Sequence, residues 1–73
     1  MKTFLVEFDA VCVPDRPISI IEAKTEGQAW DKAYEQSLKP GYSEGNFDMY
    51  LLLRNSRGEL YLAEPDGEPI KSN

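Results

Sequence analysis

Histidine is absent from the 73 residues and cysteine occurs once, at Cys12. These gaps remove the Cys/His zinc sites, a disulfide within the chain, and every nucleophile arrangement built on a Ser/His or Cys/His pair. No apolar run approaches the ~18 residues that span a bilayer. The opening Met1-Lys2-Thr3-Phe4-Leu5-Val6-Glu7 turns charged before a signal-peptide core can form. The expected location is cytoplasmic, without membrane contact, and there a lone thiol behaves as a small buried hydrophobe. Positive charge is scarce too: eight Lys and Arg against thirteen Asp and Glu leave a net charge of −5. Such a surface repels phosphate backbones, which argues against direct nucleic-acid binding.

What remains suits one small domain, with 41% of residues apolar or aromatic. From Lys2 the residues alternate, with Phe4, Val6, Phe8, Ala10 and Cys12 on one parity and Thr3, Leu5, Glu7 and Asp9 on the other. That is the period of a half-buried strand. Pro14-Asp15-Arg16-Pro17 breaks the ladder, and the extended run Ile18–Lys24 is expected to return as its hairpin partner. Thr25 followed by Gln28 is a capping-box pattern, opening a helix that places Ala29, Trp30, Ala33, Ser37 and Leu38 on one side. Pro40-Gly41 ends it, and residues 42–47 read as a connecting loop.

A second hairpin is expected from strands 48–54 and 59–63 around Asn55-Ser56-Arg57-Gly58. Pairing Arg54 with Glu59 collects Leu51, Leu53, Leu60 and Leu62 on one face and Tyr50, Leu52 and Tyr61 on the other. The order is ββαββ, a two-layer α+β domain over residues 1–63 with one helix on one face of a four-stranded, largely antiparallel sheet. Residues 64–73 read as a polar, loosely ordered tail. The expected core is Phe4, Val6, Phe8, Ile21, Ala23, Trp30, Ala33, Leu38, Leu51, Leu53, Leu60 and Leu62. One helix covers one sheet face. Leu5, Ile20, Tyr50, Leu52 and Tyr61 are therefore expected on an uncovered face, beside Glu7, Glu22, Lys24, Arg54 and Glu59.

Two metal-type patterns need weighing. Pro14-Asp15 with Glu22-Ala23-Lys24 matches the PD...(D/E)xK signature of Mg²⁺ nucleases, but the acid balance is poor for DNA, and Glu22 and Lys24 read equally as exposed strand residues. Glu64-Pro65-Asp66-Gly67-Glu68 gathers three carboxylates without the ligand spacing of a calcium loop, so an Asp-Gly turn accounts for it. No cofactor, metal or catalytic residue is expected. The same stretch matters as charge: Glu59, Glu64, Asp66 and Glu68 occur with no Lys or Arg from 59 to 70, a strip suited to a basic partner.

The strand-to-helix passage Ile20-Ile21-Glu22-Ala23-Lys24-Thr25-Glu26-Gly27-Gln28-Ala29 resembles one that recurs in small bacteriophage and prophage proteins, among them some anti-CRISPR proteins and DpnD/PcfM-like domains. The likeness involves fold-forming positions in about the first 38 residues and assigns no functional residue. It implies a small non-enzymatic protein that occupies a surface on a host protein complex. The expected function is accordingly steric inhibition of a host complex with a basic surface, such as a nucleic-acid-handling defence machine. Tyr50, Leu52 and Tyr61 would be the apolar anchors, with Glu22, Glu59, Glu64 and Asp66 as charged complements. The alternatives are a self-associating module forming a homodimer through its open face and, more remotely, a minimal Mg²⁺ nuclease.

Overall fold

The alternating N-terminal segment forms β1 (Lys2–Ala10), and the β-branched run after Pro17 forms β2 (Ile18–Ala23). They pair antiparallel, Phe4 opposite Ile21 and Leu5 opposite Ile20, as the alternation requires. The computed structural model describes residues 1–11 and 15–70, so expectations resting on Cys12 and Pro14 lie outside the described residues. Helix α1 spans Glu26–Gln36. Thr25 caps it, its hydroxyl oxygen accepting from the Gln28 amide at 3.1 Å, while the Gln28 side chain reaches back to the Lys24 amide at 3.2 Å. The box thus closes on the residue before the cap.

The remaining strands are β3 (Tyr42–Arg54) and β4 (Leu60–Ala63), and the four form one antiparallel sheet in the order β2-β1-β3-β4. The protein is an α+β fold. Strand β3 begins earlier than expected, since residues 42–47 belong to it. Ala10 pairs with Tyr42 after a register shift from the Phe8–Phe47 pair, a long-range pairing that local composition does not encode. Gly45 sits in the irregular stretch with φ at 76°, a conformation that glycine adopts without steric cost.

The core lies between α1 and the sheet. Phe4, Val6 and Phe8 from β1 meet Ile21 and Ala23 from β2, Met49 and Leu51 from β3, and Ala29 and Ala33 from α1. Four expected core residues lie elsewhere. Leu38 follows the helix end and is 51% exposed; Trp30 is 38% exposed at the helix margin. Leu60 and Leu62 belong to the opposite sheet face. Small residues take part of the space: Ala29, Ala33 and Ala63 are buried and let the backbones approach closely.

The β3–β4 hairpin is one residue out of the expected register: Arg54 pairs with Leu60, Leu53 with Tyr61, Leu52 with Leu62 and Leu51 with Ala63. The turn explains it. The Gly58 amide donates to the Asn55 carbonyl at 3.0 Å, Gly58 takes φ of 82°, and the Asn55 amide donates to the Glu59 carbonyl at 2.9 Å. This is a three-residue loop with a glycine bulge, which moves the pairing from Arg54–Glu59 to Asn55–Glu59. The same geometry recurs where a tail was expected: the Gly67 amide donates to the Glu64 carbonyl and the Glu64 amide to the Glu68 carbonyl, both at 2.8 Å, with Gly67 at φ 96°.

Candidate protein-binding interface

Parity decides what the uncovered face carries. Because Phe4, Val6, Met49 and Leu51 point into the core, their strand neighbours Leu5, Glu7, Asp48, Tyr50 and Leu52 point away from α1. The register lays them out in rows. Ile20, Leu5 and Tyr50 lie side by side across β2, β1 and β3. Glu22, Thr3, Leu52 and Leu62 form the next row, and Leu60 stands beside Arg54. Ile18, Glu7 and Asp48 form a row on the other side. A band of apolar side chains thus crosses all four strands, flanked by carboxylates. Ile20 and Leu60 are 55% and 59% exposed.

The acidic flank is held by one cation. Glu7 and Asp48 are direct cross-strand neighbours, an arrangement in which like charges repel. Arg16 resolves it, donating to Asp48 Oδ2 at 2.8 Å and to the Glu7 carbonyl at 3.1 Å, with Asp9 at 3.3 Å from Nε. The hydrogen bond to Asp48 holds the guanidinium above its already high ordinary value. Tyr50 sits beside this cluster. Burial first, then Asp48 and Glu7, push its phenol above the usual tyrosine range, while Arg16 pulls it down. Replacing Arg16 with glutamine is therefore expected to raise the Tyr50 titration further and to lower the melting temperature at low salt, with recovery as salt screens the three carboxylates. Alkaline absorbance titration and melts at two ionic strengths check both. A Tyr50 titration that stays in place in the Arg16→Gln variant would contradict this arrangement.

The expected contact residues divide among three places. Tyr50, Leu52 and Glu22 share the uncovered face. Tyr61 does not: the one-residue register change puts it opposite Leu53, on the α1 side, 46% exposed near the sheet edge. Glu59 belongs to the first turn, where its Oε1 accepts from the Asn55 side chain at 3.2 Å. Glu64 and Asp66 belong to the second turn, Asp66 accepting from the Glu68 amide at 3.0 Å. Leu60, Leu62 and Arg16 join the face without having been anticipated there. The sequence signal for the two leucines was Asn55 with Gly58, the composition of the bulged three-residue loop.

The second turn also frames a groove of about 510 Å³ against α1, lined by Glu26, Trp30, Glu64, Pro65, Asp66 and Glu68 together with Pro69. A hollow of about 340 Å³ adjoins it along Phe47–Tyr50 of β3, with Trp30, Glu64 and Pro65 lining both. The Trp30 ring is fixed: Nε1 donates to Glu26 Oε2 at 3.0 Å, and the indole packs on Phe47 with centroids 5.3 Å apart. At the opposite edge of the sheet, Lys32 reaches from α1 to the Glu22 carbonyl of β2 at 2.7 Å. Among the described residues no group of three or more His, Cys, Asp or Glu is arranged to hold a metal ion. No described helix is long and apolar enough to cross a membrane. No protein-family model, curated protein or solved structure matches the chain.

Proposed function

We propose that this is a small acidic binding protein that seats its uncovered sheet face on a partner protein whose contact surface is apolar at the centre and basic at the rim, and that it acts by occupying that surface. The observation that carries this is the row Ile20–Leu5–Tyr50 continuing into Leu52 and Leu62, an apolar band across four strands with no element of the described chain over it. Aromatic and aliphatic anchors inside a polar rim are the anatomy of protein interfaces. The rim here carries Glu7, Asp9 and Asp48, with Arg16 as their cation, and Glu22 in the next row. Two copies pressed face to face would set these carboxylates against each other, so charge favours a basic partner over a homodimer. The resemblance to small phage proteins gives the proposal its specific form: a host complex that handles nucleic acid has the basic groove such a face complements, and occupancy alone would block it.

The test is affinity capture from host-cell extract with the wild-type protein and a Tyr50→Ala/Leu52→Asp variant, each first shown folded by circular dichroism. A partner held by the wild type, eluted by salt and lost from the variant is expected. Loss of one central anchor contributes about 2 kcal/mol, a weakening of roughly thirtyfold. Identical partner lists for the two proteins would remove the open face as the binding surface.

A further inference from the structure

We propose that the groove between α1 and the 64–68 turn receives an extended basic segment of a partner protein, which adds as a strand along the stretch of β3 beyond the end of β4 and lays an Arg or Lys side chain against Trp30.

Backbone parity gives the first argument. The Phe8 amide donates to the Pro17 carbonyl at 2.9 Å, so the even residues of β1 bond toward β2 and its odd residues toward β3. The β3 partners of Thr3, Leu5 and Glu7 are Leu52, Tyr50 and Asp48, which leaves the N–H and C=O of Met49 and Phe47 directed toward the other side of β3. There β4 pairs only with Leu51–Arg54. The hollow beside Phe47–Tyr50 lies along this stretch, and an extended peptide is the ligand that matches alternating donors and acceptors at a sheet edge.

Side-chain chemistry gives the second. The groove that continues from this edge is walled by the indole of Trp30 and by Pro65 and Pro69, and the charged side chains among its described lining residues are all carboxylates, from Glu26, Glu64, Asp66 and Glu68. Among the described residues no lysine or arginine lines either hollow. An indole surrounded by carboxylates favours a cationic side chain, with the ring quadrupole adding to the charge attraction. The ring is held in position before any ligand arrives, by Glu26 at Nε1 and by Phe47. The proposal does not depend on the open face, whose apolar band lies on the other side of the sheet.

Trp30 is the only tryptophan, so its emission reports on this groove alone. The probe is a short capped peptide alternating arginine with valine, with a glutamate–valine peptide as control. Expected are a saturable change in Trp30 emission and a shift of the Met49 amide resonance with the basic peptide only, both weakening as salt rises. The Glu64→Gln/Asp66→Asn/Glu68→Gln variant should bind about tenfold more weakly, through the combined loss of three solvent-screened charge attractions. Trp30→Leu, followed through the Met49 amide, should lose about two- to fivefold. An equal response to the acidic peptide, a Met49 amide that does not move, or undiminished binding by the triple variant overturns the proposal. Basic-peptide binding that survives Leu52→Asp, a position lining neither hollow, while partner capture is also unaffected by that substitution would sink the open-face reading and leave the groove standing.

Discussion

Replacing Phe8 with alanine is expected to lower the melting temperature by about 12 to 40 °C, corresponding to a loss of about 3 to 5 kcal/mol. The side chain is 1% exposed. It is the middle of an aromatic run, tilted against Tyr42 at 5.4 Å and against Phe47 at 5.8 Å, and Phe47 in turn packs on Trp30. Truncation therefore removes the transfer energy of the ring, leaves a cavity, and breaks two aromatic pairs. A chain of this length holds about 4 to 11 kcal/mol of stability at ~0.05–0.15 kcal/mol per residue, so the loss removes a large share of it. Thermal melts followed by circular dichroism decide the matter. Phe8→Leu, which keeps much of the volume, should fall between the wild type and Phe8→Ala. A melting point for Phe8→Ala within a few degrees of wild type would mean that this aromatic run does not organise the core.

Ser37→Ala should destabilise by about 1 to 3 kcal/mol, although it deletes a single oxygen. Ser37 is fully buried at the end of α1. Its hydroxyl donates to the Tyr34 carbonyl at 2.6 Å and accepts from the Gly45 amide at 3.0 Å. It is thus the link between the helix end and the irregular part of β3, the place where the strand departs from regular pairing. With alanine there, the Gly45 amide loses its acceptor and the Tyr34 carbonyl loses a donor at a part-buried link, and these lost hydrogen bonds are the dominant loss. Hydrogen exchange should accelerate most at Gly45, ahead of the β1–β2 hairpin. Leu38→Ala, one residue on and half exposed, serves as the control with little expected effect. Equal stabilities for Ser37→Ala and Leu38→Ala would refute the role given to the hydroxyl.

The elements most legible in the sequence were those specified locally. The alternation of Phe4, Val6 and Phe8, the breaker at Pro17 and the Thr25/Gln28 cap act within a few residues, and they placed the first hairpin and the helix start. Residues 42–47 were misread because their strand character comes from Ala10 and Phe8, distant in sequence, while their glycines and polar residues suit a loop. Trp30 was misplaced because its size suggested the core, whereas the indole N–H requires an acceptor and finds Glu26 at the helix margin. The second hairpin's register rested on side-chain matching alone. Leucines in both strands let two registers look acceptable, and the bulged turn at Gly58 chose between them. That choice carried Tyr61 off the proposed face and brought Leu60 and Leu62 onto it. Tyr50, Leu52 and Glu22 were legible because their strands were. The groove was not, since it joins Trp30 to a turn more than thirty positions later in the chain.

Lys32 has a further consequence. Strand β2 lies at the rim of the sheet, and an unguarded rim invites another molecule to dock backbone to backbone, the first step of runaway assembly. The ammonium resting on the Glu22 carbonyl takes one of the acceptors such an intruder would need and sets a solvated charge in its path. The fold thereby guards one border of its sheet with a side chain from its own helix.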